Sequence, residues 1–159
     1  MLNLLGEYRC KVDAKGRMMF PASLRKELSE VLHHGLVINR DIFERCIVLY
    51  PKPEWDRVNK EMSKLSRYNR KHQLFQRRFM MGASQVGVDN SGRLLLPAML
   101  QEHAGIDLKA SNEVVVSAMG EKIEVWSLAN YQAKIAEDDN FDELAEEIGR
   151  DIEQLGRED

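Results

Sequence analysis

Apolar residues in this chain come in short runs broken by glycine and proline, and the spacing within each run predicts an element. Residues 10–13 and 17–20 read as two strands joined by a tight turn, because Gly16 tolerates the positive φ such a turn demands and Asp13 can bond its own backbone. Pro21 ends the second strand, since proline donates nothing to a ladder, and it opens a helix predicted over residues 22–32. A second strand pair follows at 36–39 and 46–50. The rhythm then changes. Trp55, Val58, Met62 and Leu65 recur at steps of three and four, and Leu74, Phe75 and Phe79 form another such run beyond Tyr68 and Asn69, which predicts a helical hairpin. Strand signals return with a turn at 89–92, a short helix after Pro97 over 98–104, and a β-branched strand pair at 113–117 and 122–126. Residues 141–155 alternate apolar and acidic side chains in the manner of a short amphipathic helix.

The order of these elements repeats because the sequence does. At an offset of 76, VDAKGRMMFPASL (12–24) lies on VDNSGRLLLPAML (88–100) with seven of thirteen positions identical. The same offset sets Ile47 on Ile123, Leu49 on Val125, Tyr50 on Trp126 and Trp55 on Tyr131. Two ββαββ units result, residues 7–53 and 83–129, with a helical linker at 54–82 and a helix and acidic tail at 130–159. A unit of about 45 residues buries too little surface to offset its chain entropy. The two are therefore expected to interlock about a pseudo-twofold axis, exchanging hairpins so that eight short strands share one apolar centre, an α+β fold. Such pairing relates the two turn tips, each of which carries an arginine.

Charge divides along the chain. The formal net charge of -3 combines 17 basic and 9 acidic residues in 1–80 with 6 and 17 in 81–159, and residues 137–159 alone hold 11 acidic and 2 basic. A basic body suits a polyanionic partner or a solvated surface, and the tail would repel DNA. No apolar run approaches the roughly 18 residues that cross a bilayer, and the first eight residues lack the basic start and long apolar core of a signal peptide, so a cytoplasmic location is expected. Cys10 and Cys46 have neither metal-ligand nor disulfide-framework spacing and read as half-buried strand thiols. His33, His34, His72 and His103 lack ligand spacing, and Ser23 has no predicted base, so no enzyme, metal, cofactor or small-molecule substrate is expected.

The signatures DAKGR at 13–17 and DNSGR at 89–93, each followed by three apolar residues and Pro-Ala, together with YPKPEW at 50–55, RRFMMGAS at 77–84 and QEHAGI at 101–106, resemble the MraZ family. That resemblance covers the chain to about residue 136. It implies an AbrB/SpoVT-type swapped-hairpin barrel with double-ψ character, marked twice by DxxxR. It also implies a transcriptional regulator that binds short direct repeats upstream of the division and cell-wall gene cluster, its own promoter included, as a ring-shaped homo-oligomer on the nucleoid.

On that reading Arg17 and Arg93 are the first candidates for DNA contact, because a guanidinium on a rigid turn can bond bidentately to guanine or to phosphate. An ion pair to Asp13 or Asp89, four residues earlier, is the alternative role, and both can hold at once. Asp13, Gly16, Asp89 and Gly92 are expected to shape the loops. Lys15 adds a charge to the first loop where the second has neutral Ser91, and Arg9, Lys11 and Arg25 are candidate phosphate contacts. The rival function is an antitoxin-like, protein-binding member of the same fold.

Overall fold

A computed structural model describes residues 2–158. Its strands are β1 (Glu7–Lys11), β2 (Arg17–Met19), β3 (Leu36–Arg40), β4 (Ile47–Pro51), β5 (Ser84–Val86), β6 (Arg93–Leu95), β7 (Glu113–Met119) and β8 (Lys122–Ser127). Its α-helices are α1 (Ala22–Glu27), α2 (Lys52–Met62), α3 (Arg70–Met80), α4 (Ala98–His103), α5 (Leu128–Ile135) and α6 (Phe141–Glu158). Under the 76-residue offset β1 to β4 and α1 fall on β5 to β8 and α4. The helices α2 and α3, which follow the first unit, stand in the same relation to α5 and α6, which follow the second.

All strand pairs are antiparallel, and they cross between the units. A six-stranded sheet has the order β1-β7-β8-β4-β3-β5, while β2 and β6 form a separate two-stranded ribbon. Exchanging each strand for its repeat partner returns the same order reversed, so a pseudo-twofold runs between β8 and β4 and between β2 and β6. Each unit lends its first strand to the other's sheet: Arg9 of β1 opposes Val115 of β7, and Gln85 of β5 opposes Val37 of β3.

Three expectations differ from the structure. The strands of residues 10–13 and 17–20 do not form a hairpin ladder, since they meet only at the Val12–Met18 bridge, with Val88–Leu94 its counterpart. The reason is that the Val12 amide donates to Asn112 O at 2.9 Å, which commits the first strand to β7, and the turn then carries β2 away to β6. For the same reason the eight strands do not close into a barrel among the described residues: β1 and β5 remain sheet edges, and Pro21 and Pro97 halt β2 and β6 after three residues. The helix expected over 22–32 also stops early, at Glu27. Beyond it the Ser29 and Val31 amides turn back to Lys26 O and Leu28 O three residues away, and Leu24 and Leu28 both end up fully buried.

Strand alternation sorts the core. Leu36 and Ile38, Ile47 and Leu49, Val114 and Val116, and Ile123 and Val125 face inward, where Met18 and Leu94 of the ribbon, Phe20, Leu96, Leu24 of α1 and Leu100 of α4 cover them. Each such side chain contributes about 1.5–3 kcal/mol by burial. On the sheet's outer face Val37, Trp55 of α2 and Phe79 of α3 make a second, smaller cluster. The ribbon is thus a lid over the main core, with one face buried and the other open.

Candidate nucleic-acid interface

Each DxxxR loop is built around its aspartate. Asp13 Oδ1 accepts the amides of Lys15 and Arg17, both at 2.9 Å, while the Gly16 amide donates to Asp13 O at 3.0 Å. Asp89 repeats these bonds with Ser91, Arg93 and Gly92. Gly16 and Gly92 have φ of 84° and 82°, the left-handed region in which a side chain is strained. The loops differ at the guanidinium. Arg17 Nε lies 2.9 Å from Asp13 Oδ2, an ion pair, whereas Arg93 makes none among the described residues.

The Arg17 amide first, then the Lys15 amide and the Arg17 guanidinium, hold the Asp13 carboxyl below its ordinary range. Because the folded pKa is the depressed one, the carboxylate's support of the loop is complete above the usual aspartate value of about 3.9 and is lost as pH falls through the folded value. At neutral pH the loop keeps its brace.

The ribbon carries the two arginines to one surface. Arg17 opposes Leu95 and Met19 opposes Arg93, so these four side chains share one face while Met18 and Leu94 take the buried one. Met19 and Leu95 are 48% and 51% exposed, which leaves that face open to solvent. Arg17 and Arg93 are diagonal neighbours across the ladder, about 7–8 Å apart along the backbone. Cross-unit bonds stiffen the arrangement, with the Phe20 amide donating to Gly92 O at 2.9 Å and the Leu96 amide to Gly16 O at 2.8 Å.

The remaining candidates separate. Lys15 is exposed at the first loop's tip. Arg25 of α1 reaches across to the second loop, where a Cβ added to Gly92 would collide with its guanidinium, and its Nε is buried without a hydrogen-bond partner among the described residues. Gln101 of α4, one repeat away, covers Gly16 in the same manner and donates Nε2 to Leu96 O at 2.6 Å. The 76-residue offset alone could have pointed to Gln101. Arg9 and Lys11 stand elsewhere, on the outer face of edge strand β1 beside Glu7, whose carboxylate meets the Tyr131 hydroxyl of α5. The structure does not bring them to the ribbon.

One cluster has no signal in the sequence. Asp41, Cys46 and Glu124 bring their ligand-type atoms within 4.8 Å of one another. Lys122 Nζ lies 3.5 Å from Asp41 and 3.3 Å from Glu124, so a side chain already supplies the cation. Burial and then Glu124 raise the Cys46 thiol far above its ordinary pKa, which keeps it protonated, and neither cysteine is in a disulfide. Ser23, set aside for want of a base, donates its hydroxyl to Tyr8 Oη at 3.0 Å. No described helix is long and apolar enough to cross a membrane.

Comparison with known proteins shows what the chain is similar to. A family model described as "MraZ protein, putative antitoxin-like" matches residues 3–78 and again 79–151. The chain is 42% identical over 149 residues to the transcriptional regulator MraZ of Christiangramia forsetii, covering 93% of this chain and 94% of that protein. It is 38% identical over 149 residues to the protein of the same name from Flavobacterium psychrophilum, covering 93% and 92%, and 39% identical over 142 residues to that of Cytophaga hutchinsonii, covering 89% and 91%.

Proposed function

The chain belongs to the MraZ family, and from that membership and the paired arginine face we propose that it is a transcriptional regulator that binds double-stranded DNA through its two DxxxR loops. The observation that carries the reading is the placement of Arg17 and Arg93 on one exposed face of a two-stranded ribbon. A ribbon of that width is one of the shapes the major groove of B-DNA admits, and a diagonal of about 7–8 Å spans about two base-pair steps. The Arg17–Asp13 pair engages Nε, so both terminal nitrogens of Arg17 stay available to guanine O6 and N7 or to phosphate. Recognition of this kind needs no metal or cofactor.

The finer reading follows the family. The targets are short direct repeats upstream of the division and cell-wall gene cluster, including the protein's own promoter, and the protein works in the cytoplasm on the nucleoid. The crossed pairing of β1 with β7 and β2 with β6 supports kinship with the AbrB/SpoVT swapped-hairpin fold. A ring of copies would present many ribbon faces to repeated sites, so that weak single contacts add into avid binding. Units 7–53 and 83–129 each supply one loop, and the helices of 54–82 and 130–159 serve assembly.

A mobility-shift titration on the protein's own upstream region tests the proposal. Each of Arg17→Ala and Arg93→Ala is expected to cost about 1–3 kcal/mol per lost base contact, roughly 5- to 150-fold in affinity, with an unchanged far-UV spectrum. Full affinity in both variants refutes the assignment. The antitoxin-like description of the family favours a second reading, a protein partner in place of DNA; absence of any shift from low salt upward would select it.

A further inference from the structure

The last helix of the chain is unpartnered. Phe141, Leu144, Ala145, Ile148, Ile152 and Leu155 lie at helical spacing along one side of α6, and no residue of the helix is buried. Its counterpart α3 buries Phe79, which stacks on Trp55 with ring centroids 6.0 Å apart. One repeat later Phe79 becomes Leu155, 64% exposed, because the platform beneath it has changed: Trp55, Val58 and Met62 are replaced by Tyr131, Lys134 and Asp138. Lys134 is moreover tied to Glu44 and Glu137, each at 2.7 Å. The second helical hairpin has therefore lost the apolar surface that would fold α6 back onto its own unit.

A receptor with the opposite charge exists where the helical linker meets the first unit. Between α3 and the turn after β3 lies a groove of about 570 Å³, with Ile42, Leu74 and Phe75 as apolar lining and Arg40, Lys71 and Arg78 as cations. Ile42 and Leu74 are 53% and 55% exposed, and the Arg40 guanidinium is held in place by donation to Arg78 O at 2.7 Å. The acid in the lining is already engaged. Asp41 pairs with Lys122 and accepts the amides of Phe43 and Glu44 at 3.0 and 2.8 Å. Helix α6 is about 27 Å long at 1.5 Å per residue and carries seven acidic and two basic side chains around its apolar stripe.

We propose that α6 of one copy docks in the α3 groove of a second copy, its apolar stripe on Ile42, Leu74 and Phe75 and its carboxylates on Arg40, Lys71 and Arg78. This rests on the self-assembly reading above and gives it an interface. An amphipathic helix laid in an apolar groove is a common recognition mode, and the charges here fix its partner. Helix and groove are different surfaces of one chain, so the contact is head-to-tail. Such contacts close into rings or run on as filaments.

Sedimentation velocity of the full chain, of Ile152→Glu in α6 and of Leu74→Glu in the groove tests the interface. Both side chains are exposed, so circular dichroism should show folded variants. The wild-type chain is expected to form multimers that weaken as salt rises, and each variant to weaken the contact at least tenfold and sediment as single chains. Mixing the two variants should give a discrete two-chain species and nothing larger, since only one intact helix and one intact groove remain. Multimers that survive both substitutions overturn this interface and leave self-assembly standing. Loss in only one variant also overturns it, because helix and groove are then not each other's partners. A wild-type chain that is single at every concentration removes both the interface and the self-assembly reading.

Discussion

Arg25 and Gln101 occupy equivalent places one repeat apart, each covering the glycine of the other unit's loop, and only Arg25 is charged. The exchange offsets the difference between the loops. The first has Lys15 with Arg17, and the second, with Ser91 in place of the lysine, has Arg25 brought from the first unit onto Gly92, the residue before Arg93. Arg25→Gln should therefore lower the slope of log affinity against log salt by about one unit, the value of one phosphate contact, on the proposed DNA target. Thermal stability should hold or rise, because the substitution removes a buried Nε that has no partner, and a glutamine there can donate to Phe20 O as Gln101 donates to Leu96 O. Salt-dependent binding titrations and a thermal melt measure both; an unchanged slope would remove Arg25 from the interface.

Among the elements, the two helical hairpins show how a few side chains decide whether a helix docks. Asn69 accepts the amides of Lys71 and His72 and starts α3, and buried Asn39 donates to Phe79 O at 2.8 Å and pins its end. Between these anchors the Trp55–Phe79 stack is the main apolar contact. Phe79→Ala should remove about 3–5 kcal/mol of local stability, since the cavity opens in a cluster apart from the main core. Amide hydrogen exchange should then accelerate tenfold or more in α3 while β7 and β8 keep their protection. Equal acceleration in both places would mean that the two clusters unfold as one.

At the scale of the whole molecule, crossed pairing makes each half the completion of the other. Without residues 81–159, β1 loses β7, β2 loses β6 and β4 loses β8, and the surviving β3–β4 pair has too little apolar cover to persist. Residues 1–80 expressed alone should be unfolded, or folded only as a dimer in which a second copy stands in for the missing half. Mixing 1–80 with 81–159 should restore the far-UV spectrum of the full chain. A half that sediments as a folded single chain would show that the exchange is dispensable.

The sequence by itself determined that the fold is built twice, where most of the strands and helices run, and that Asp13 and Asp89 organise two matching loops. Those are local matters, set by periodicity, by the φ demands of Gly16 and Gly92, by the missing amides of Pro21 and Pro97, and by identity at a fixed offset. Tertiary structure alone decided which strands pair across the units, whereas the β3–β4 and β7–β8 pairs within each unit are the ones the sequence predicts. Hydrogen-bond partners such as Val12 and Asn112 are remote in the chain, and a strand's composition does not say which edge it will meet. For that reason the strands flanking the turn at 14–16 pair with different partners rather than with each other, and in place of a closed barrel the described residues form a sheet with a ribbon over it. The same global geometry set Arg17 and Arg93 on one face, sent Arg9 and Lys11 to another, and left no described residue of α6 buried.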